Sequence, residues 1–223
     1  LHGLAVQVED IRLRTYNSAL KAVKAQRELL QQSSPVEWAA MRDDATQKLI
    51  KRGVLPPDGN LMKRNEGGWC AIHSRALTGD VQGVEDLLLL DSGNSMVYSV
   101  TEDGWTALHR AATNGHKEVA LQLLDRGGEK LVRMTTDQGW TALHIACQNG
   151  QLGLVTSCMQ VCDSKVLHIQ DLEGYTCMHR AAINGKSLVV REILKLKDPD
   201  LLTLTDHDGF TCLHWAARAG HAE

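Results

Sequence analysis

Ten histidines and six cysteines in 223 residues invite a search for metal, nucleophile and proton-transfer chemistry. Five histidines recur at one place in a repeated phrase, as His73, His109, His144, His179 and His214. Such a row could form a metal or proton-relay array. However, helices that pack in layers sit about 10 Å apart, so one histidine per layer does not converge on a single ion, and a structural zinc needs four convergent ligands. Cys158, Cys162 and His168 come nearest to a ligand set, with the two cysteines one helical turn apart. Cys158 occupies an apolar position matched by Leu123 and Ile193, and a fourth ligand is not evident, so the pair reads as a core thiol and a loop thiol. Ser, His and Asp are all present, yet the chain has no Gly-x-Ser-x-Gly elbow, no Cys-His-Asn context and no phosphate-cradling Gly-x-x-x-x-Gly-Lys-Ser/Thr loop. The expectation is a protein that is not an enzyme, with no cofactor and no metal.

The elements that position these residues follow from the phrase itself: Gly68-Trp69-Cys70-Ala71-Ile72-His73, Gly104-Trp105-Thr106-Ala107-Leu108-His109, Gly139-Trp140-Thr141-Ala142-Leu143-His144, Gly174-Tyr175-Thr176-Cys177-Met178-His179 and Gly209-Phe210-Thr211-Cys212-Leu213-His214. Its glycines are 36, 35, 35 and 35 residues apart. A fixed period in that range marks a stacked solenoid, in which each unit buries its apolar face against its neighbours. Seven residues before each glycine stands an apolar anchor (Leu61, Val97, Val132, Leu167, Leu202), and three before it a turn former (Asn65, Thr101, Thr136, Asp171, Asp206). The Thr of the phrase predicts a helix N-cap, with His at the third helical position reaching back into the turn. Gly79, Gly115, Gly150, Gly185 and Gly220 predict the end of that helix, and a second helix follows, lined by sets such as Val119, Ala120, Leu123 and Leu124.

Ahead of the array, residues 1–60 predict an N-terminal helical pair. Leu13, Tyr16, Leu20, Val23 and Leu30 give residues 9–32 one apolar face, and Ser34-Pro35-Val36-Glu37 reads as a capped start for a second helix carrying Trp38, Met41, Ala45 and Leu49. The stretch Thr46–Gly53 looks like Leu121–Gly127, so a degenerate capping repeat is the preferred reading; the alternative is an arm that docks on another protein.

The pattern Asp-Gly-x-Thr-x-Leu-His-x-Ala-Ala-x-x-Gly-His resembles the ankyrin repeat, over residues 61–223, and Gly104 to His116 and Gly209 to His221 match it almost residue for residue. The resemblance implies an all-α ankyrin-repeat solenoid of helix-turn-helix units with short β-hairpin fingers, four full repeats and a partial fifth, in which each histidine bonds the turn and helix start. Two departures stand out. Ala71, Ala107, Ala142, Cys177 and Cys212 replace the family's Pro, and each unit is longer than the usual 33 residues, with the extra residues expected in the finger around Gly127 to Arg133 and Lys197 to Leu202.

The resemblance further implies a non-catalytic scaffold or adaptor that binds a protein on the concave surface of fingers and first helices. On that side it places the residue after each phrase glycine, which is aromatic in all five units: Trp69, Trp105, Trp140, Tyr175 and Phe210. These rings could serve as binding anchors or could pack on the next finger to stiffen it. Beside them stand Glu102, Asp103, Asp137, Glu173, His207 and Asp208 at the finger tips and Arg110, Ile145, Arg180 and Trp215 just after each histidine, giving an aromatic floor with an acidic rim and two arginines. A structural subunit of a large assembly, or the regulatory or docking region of a larger enzyme or channel, is the alternative.

Charge and composition bound the partner. The net charge is −3, and residues 67–223 hold 13 basic against 19 acidic side chains, which argues against nucleic acid and for a protein partner with a basic or neutral surface. No apolar run is long enough to span a bilayer. Cysteines spread through repeat positions suit a reducing, intracellular compartment, with the cytoplasm first and an organelle interior or the nucleus as alternatives. The first residue is not Met and the fifth unit stops as its second helix should begin, so further repeats or a partner subunit are expected beyond Glu223.

Overall fold

The computed structural model describes residues 31–91 and 93–221, together with residues 15, 18, 19, 22, 25, 26, 28 and 29. The described residues up to 33 are helical and exposed. Leu13, Tyr16, Leu20, Val23 and Leu30, on which the first predicted helix rests, lie outside the described residues. Helix α1 (Pro35–Lys51) follows, with Pro35 in its first turn. Ser34 makes no side-chain cap: its backbone (φ −142°, ψ 74°) is off the extended conformation that aims a cap at the free amides, and its carbonyl instead accepts the Trp38 N–H at 3.0 Å.

The array then runs as pairs: α2 (Ala71–Thr78) and α3 (Val81–Leu90); α4 (Ala107–Asn114) and α5 (Lys117–Arg133); α6 (Ala142–Asn149) and α7 (Leu152–Val161); α8 (Cys177–Ile183) and α9 (Ser187–Leu194). A short α10 (Asp200–Thr203) leads to α11 (Cys212–Arg218), the first helix of the fifth unit. First helices pack on first helices (α2, α4, α6, α8, α11) and second on second (α3, α5, α7, α9), so two parallel helix layers enclose one continuous core. Ile72, Leu108, Leu143 and Met178 repeat one buried position, and Leu87, Leu123, Cys158 and Ile193 repeat another. Helix α1 packs on α3, burying Ala45 and Leu49 in the same core; Arg42 donates to the Leu90 carbonyl at 3.1 Å and Arg52 pairs with Asp80 and Asp86. The first helices end where the left-handed glycines were expected, with Gly79, Gly115 and Gly150 at φ 72–74°.

The fingers are tighter than hairpins. Each is a turn closed by two bonds, as where Thr101 N–H donates to the Trp105 carbonyl and Gly104 N–H to the Thr101 carbonyl, both at 3.0 Å. Among the described residues pairing is limited to single bridges, Thr135 with Thr141 and Thr205 with Thr211. Between fingers runs a regular ladder: Glu102 N–H to Gly67 O, Asp137 N–H to Asp103 O, Leu172 N–H to Gln138 O (each 3.1 Å) and His207 N–H to Glu173 O (3.3 Å). This ladder explains the phrase glycine. A Cβ at Gly139 would stand 2.9 Å from the Asp171 Cα and 3.0 Å from the Leu172 amide nitrogen, on a backbone at φ 78°.

The extra residues of each unit, expected in the finger, lie ahead of it instead, and most of them are helical. Helix α5 continues to Arg133 after a kink at Gly128 (φ 54°, ψ −153°), Ser164–His168 form a 3₁₀ turn, and α10 occupies the next such place. The apolar anchors are the cause: Leu131 and Val132, Val166 and Leu167, and Leu201 are buried, and a helical turn is the compact way to set two adjacent anchors into the core. These turns bond one another, through Tyr98 Oη to Gly127 O, Arg133 to Asp163 and His168 to Asp198. At the far end Leu213 is 61% exposed although its counterparts Leu108, Leu143 and Met178 are buried; it borders a groove of about 490 Å³ with Met178, Val190, Leu194, Leu202 and Ala216.

Gly139→Ala combines a left-handed backbone with backbone contact and should lower the unfolding free energy by about 3 kcal/mol. Gly53→Ala, at a similar φ with nothing near its Cβ, should cost only about 1 kcal/mol. Urea denaturation of the two variants measures the difference, and equal losses would remove the finger contact from the explanation.

Candidate protein-binding surface

His73, His109, His144 and His179 are structural links between repeats. In the second unit His109 Nδ1 accepts from the Thr106 hydroxyl (2.8 Å) and the Thr106 N–H (3.2 Å), while Nε2 meets the Trp140 carbonyl of the next finger at 2.9 Å. A carbonyl can only accept, so Nε2 carries the proton and Nδ1 is left free to accept. His144 does the same with Thr141 and the Tyr175 carbonyl, and His179 with Thr176 and the Phe210 carbonyl. In the first unit Cys70 takes the place of Thr and the Ser99 carbonyl receives the Nε2 proton. Burial pushes the pKa of His73, His109 and His144 down to about 4, against the partial support of those carbonyls, and lowers that of His179. Among the described residues no three His, Cys, Asp or Glu side chains come together as a metal site. Cys158 is buried in the core with its thiol pKa raised by burial, Cys162 is half-buried with its own pushed up to about 11, and His168 turns to Asp198.

In the first, second, fourth and fifth units the aromatic residue after the glycine lies beside its own histidine, as Trp105 against His109 and Tyr175 against His179, both at 5.9 Å between ring centres. In the second, fourth and fifth units the residue after the histidine fills the space between successive rings. The guanidinium of Arg110 lies 4.2 Å from the Trp69 ring and 4.3 Å from the Trp105 ring, and that of Arg180 4.3 Å from Trp140 and 4.5 Å from Tyr175. Trp215 stands edge-on between Tyr175 (5.6 Å) and Phe210 (5.8 Å). At the corresponding position of the third unit, Ile145 is 3% exposed and belongs to the core, so it offers no surface. The result is a column of rings on five successive fingers, with ring and spacer alternating in two runs, from Trp69 through Arg110 to Trp105 and from Trp140 through Arg180, Tyr175 and Trp215 to Phe210, on either side of the buried Ile145. Its rings are half-buried, except for Phe210 at 40% exposure, and Glu102, Asp103, Asp137, Glu173, His207 and Asp208 are exposed along the finger tips. A desolvated cation between two faces is held by about 1–2 kcal/mol, so the column stiffens the fingers while leaving ring edges open to solvent.

One link was not drawn from sequence: in the fourth and fifth units the turn residue three before the glycine also holds the spacer. Asp171 caps its own turn through the Glu173 and Tyr175 amides and with its other oxygen accepts from Arg180; Asp206 caps its turn and accepts the Trp215 indole N–H at 2.6 Å. The signal available was the coincidence of Asp at that position with Arg or Trp nine residues on, in two units of the five.

A family model described as ankyrin repeats (3 copies) matches residues 36–135, 76–162 and 154–223. The chain belongs to the ankyrin-repeat family. Ankyrin repeats are generally protein–protein interaction modules, and the match takes in most of α1, so the family pattern begins before the first full phrase. No curated protein matches the chain. Among the described residues no helix is long and apolar enough to cross a membrane.

The depressed histidine pKa values set a pH dependence. Between pH 6.5 and about 4 the unfolded chain takes up protons that the folded chain refuses, so stability is full above pH 6.5 and falls through that window. Between pH 7 and 5 the loss should be about 2 kcal/mol for each of the three histidines. Urea unfolding at the two pH values measures it, with His144→Gln expected to remove about one histidine's share; a stability independent of pH in this range would contradict the neutral, buried assignment.

Proposed function

We propose that the chain is a non-catalytic scaffold or adaptor that binds a partner protein on the concave face of its fingers and first helices. The observation that carries this reading is the column: large, rigid, half-exposed rings and guanidinium groups on regularly spaced fingers form a preorganised surface of the residue types that dominate protein interfaces. Trp69, Trp105, Trp140, Tyr175 and Phe210 supply its floor, Arg110, Arg180 and Trp215 the spacers, and Glu102, Asp103, Asp137, Glu173, His207 and Asp208 a charged rim that governs approach and register. The acidic excess of the repeats supports a basic or neutral partner surface. A binding role without catalysis is supported by the chemistry of the reactive side chains: both ring nitrogens of His73, His109, His144 and His179 are engaged, and the Cys147, Cys158, Cys162 and Cys212 thiols have raised pKa values. Residues 1–60 act as a cap, supported by α1 covering the apolar side of α3. Six free cysteines support a reducing, intracellular compartment.

The test compares two faces. Trp105→Ala with Trp140→Ala should lose the protein retained by the wild type on an affinity matrix, whereas Gln160→Ala with Arg191→Ala, exposed on the second helices, should retain it. The reverse pattern, with both variants still folded by circular dichroism, would place the interface on the other side.

A further inference from the structure

The two arginines of the column are equivalent in sequence register but not in their chemistry. Arg180 is anchored within the chain along its Nε–Nη2 edge: its Nε donates to Asp171 Oδ2 at 3.1 Å, its Nη2 to the same oxygen, and its Nη2 also to Glu173 Oε2 at 2.9 Å. Arg110 stands six residues after its phrase glycine, as Arg180 does, but Thr101 occupies the position of Asp171 and spends its hydroxyl oxygen on the Trp105 N–H at 3.2 Å. Asp103, in the place of Glu173, is exposed and acts on Arg110 only through its charge. Arg110 therefore has a buried Nε with no acceptor, and its other guanidinium nitrogens, also without one among the described residues, face solvent. Burial between the two rings lowers its pKa, opposed by Asp103. A guanidinium that is stripped of water on both faces and left without an acceptor is primed for a bidentate carboxylate.

The charges around this position fit such a ligand. Lys63 and Arg64 are exposed just before the first finger turn, and the charges of both Arg110 and Arg64 act on His73. The column's other end carries Asp171, Glu173, Asp206 and Asp208. Glu102 and Asp103 at the neighbouring tip repel an acidic run or a phosphate, so the complementary segment carries one carboxylate in a neutral or basic setting.

We propose that Arg110, held between Trp69 and Trp105, is the receptor for a single Asp or Glu side chain of the partner protein, which supplies the carboxylate that Asp171 supplies to Arg180 two repeats on. The inference rests on the concave-face reading above and adds the anchor's chemistry and its place.

The chain itself provides the decisive variant. Thr101→Asp writes the Asp171 arrangement into the second unit, so it should fold and melt at or above the wild-type temperature while occupying Arg110 from within. The probe is a set of short peptides, each with one central Asp or Glu in a neutral or Lys-containing background, paired with its Asn or Gln twin. Wild type should prefer the carboxylate member by about tenfold, and both Thr101→Asp and Arg110→Gln should abolish the preference. A set in which no peptide binds, twins that bind equally, or a preference that survives in both variants would overturn the proposal. Twins that bind equally but are lost together in the Trp105→Ala, Trp140→Ala protein would leave the concave-face reading standing while removing Arg110 as its anchor.

Discussion

Each repeat is held to the next by a neutral imidazole. One nitrogen accepts from the helix cap of its own unit and the other donates to a backbone carbonyl of the following finger, in the second unit at 3.2 and 2.9 Å. Both bonds require the same tautomer, and a protonated ring could keep only one of them. Because the acceptor is the carbonyl of the aromatic residue in units three to five, the link that sets the spacing of repeats also sets the spacing of the rings. The finger ladder and the close approach at the phrase glycine follow from that spacing.

The column is the consequence. Rings fixed on successive fingers leave a slot between them that one side chain fills, and the residue after the histidine is the one that points there. A flat guanidinium fits between two faces and Trp215 fits edge-on, whereas Ile145 is buried in the core. The two roles open at the outset, stiffening and display, are therefore not alternatives in geometry: a stacked ring offers its edge because its faces are occupied. What differs from unit to unit is the turn residue beneath the spacer: a carboxylate that accepts from the spacer in the fourth and fifth, and a threonine whose hydroxyl accepts only from the following aromatic residue's amide in the second and third.

The parts of this arrangement that were legible in the sequence are those decided within one repeat. The Thr cap, the His at the third helical position, the left-handed glycine at the helix end and the buried anchors Val97, Val132 and Leu167 all depend on local backbone geometry, and they stand where the period put them. Less legible were features decided between repeats. The stacking of Arg110 on the ring of the preceding unit spans forty-one residues of sequence, and the second duty of Asp171 shows only when Arg180 is seen above it. The helical inserts escaped because glycines at 127 and 128 suggest an end, whereas Leu131 and Val132 draw the chain into another turn. Ser34 misled for the opposite reason: residue type favours a cap, but the backbone does not aim it.

The indole N–H groups offer the most direct measurement, since Trp69, Trp105 and Trp140 lie in the column, Trp215 is tied to Asp206, and Trp38 sits apart on α1. A ¹H–¹⁵N spectrum of the chain with and without the captured partner reports on all five at once. Partner binding on the concave face should shift the Trp69, Trp105 and Trp140 signals and leave Trp38 in place. A shift confined to Trp38, with the three column signals unmoved, would contradict the assignment of the column as the binding surface.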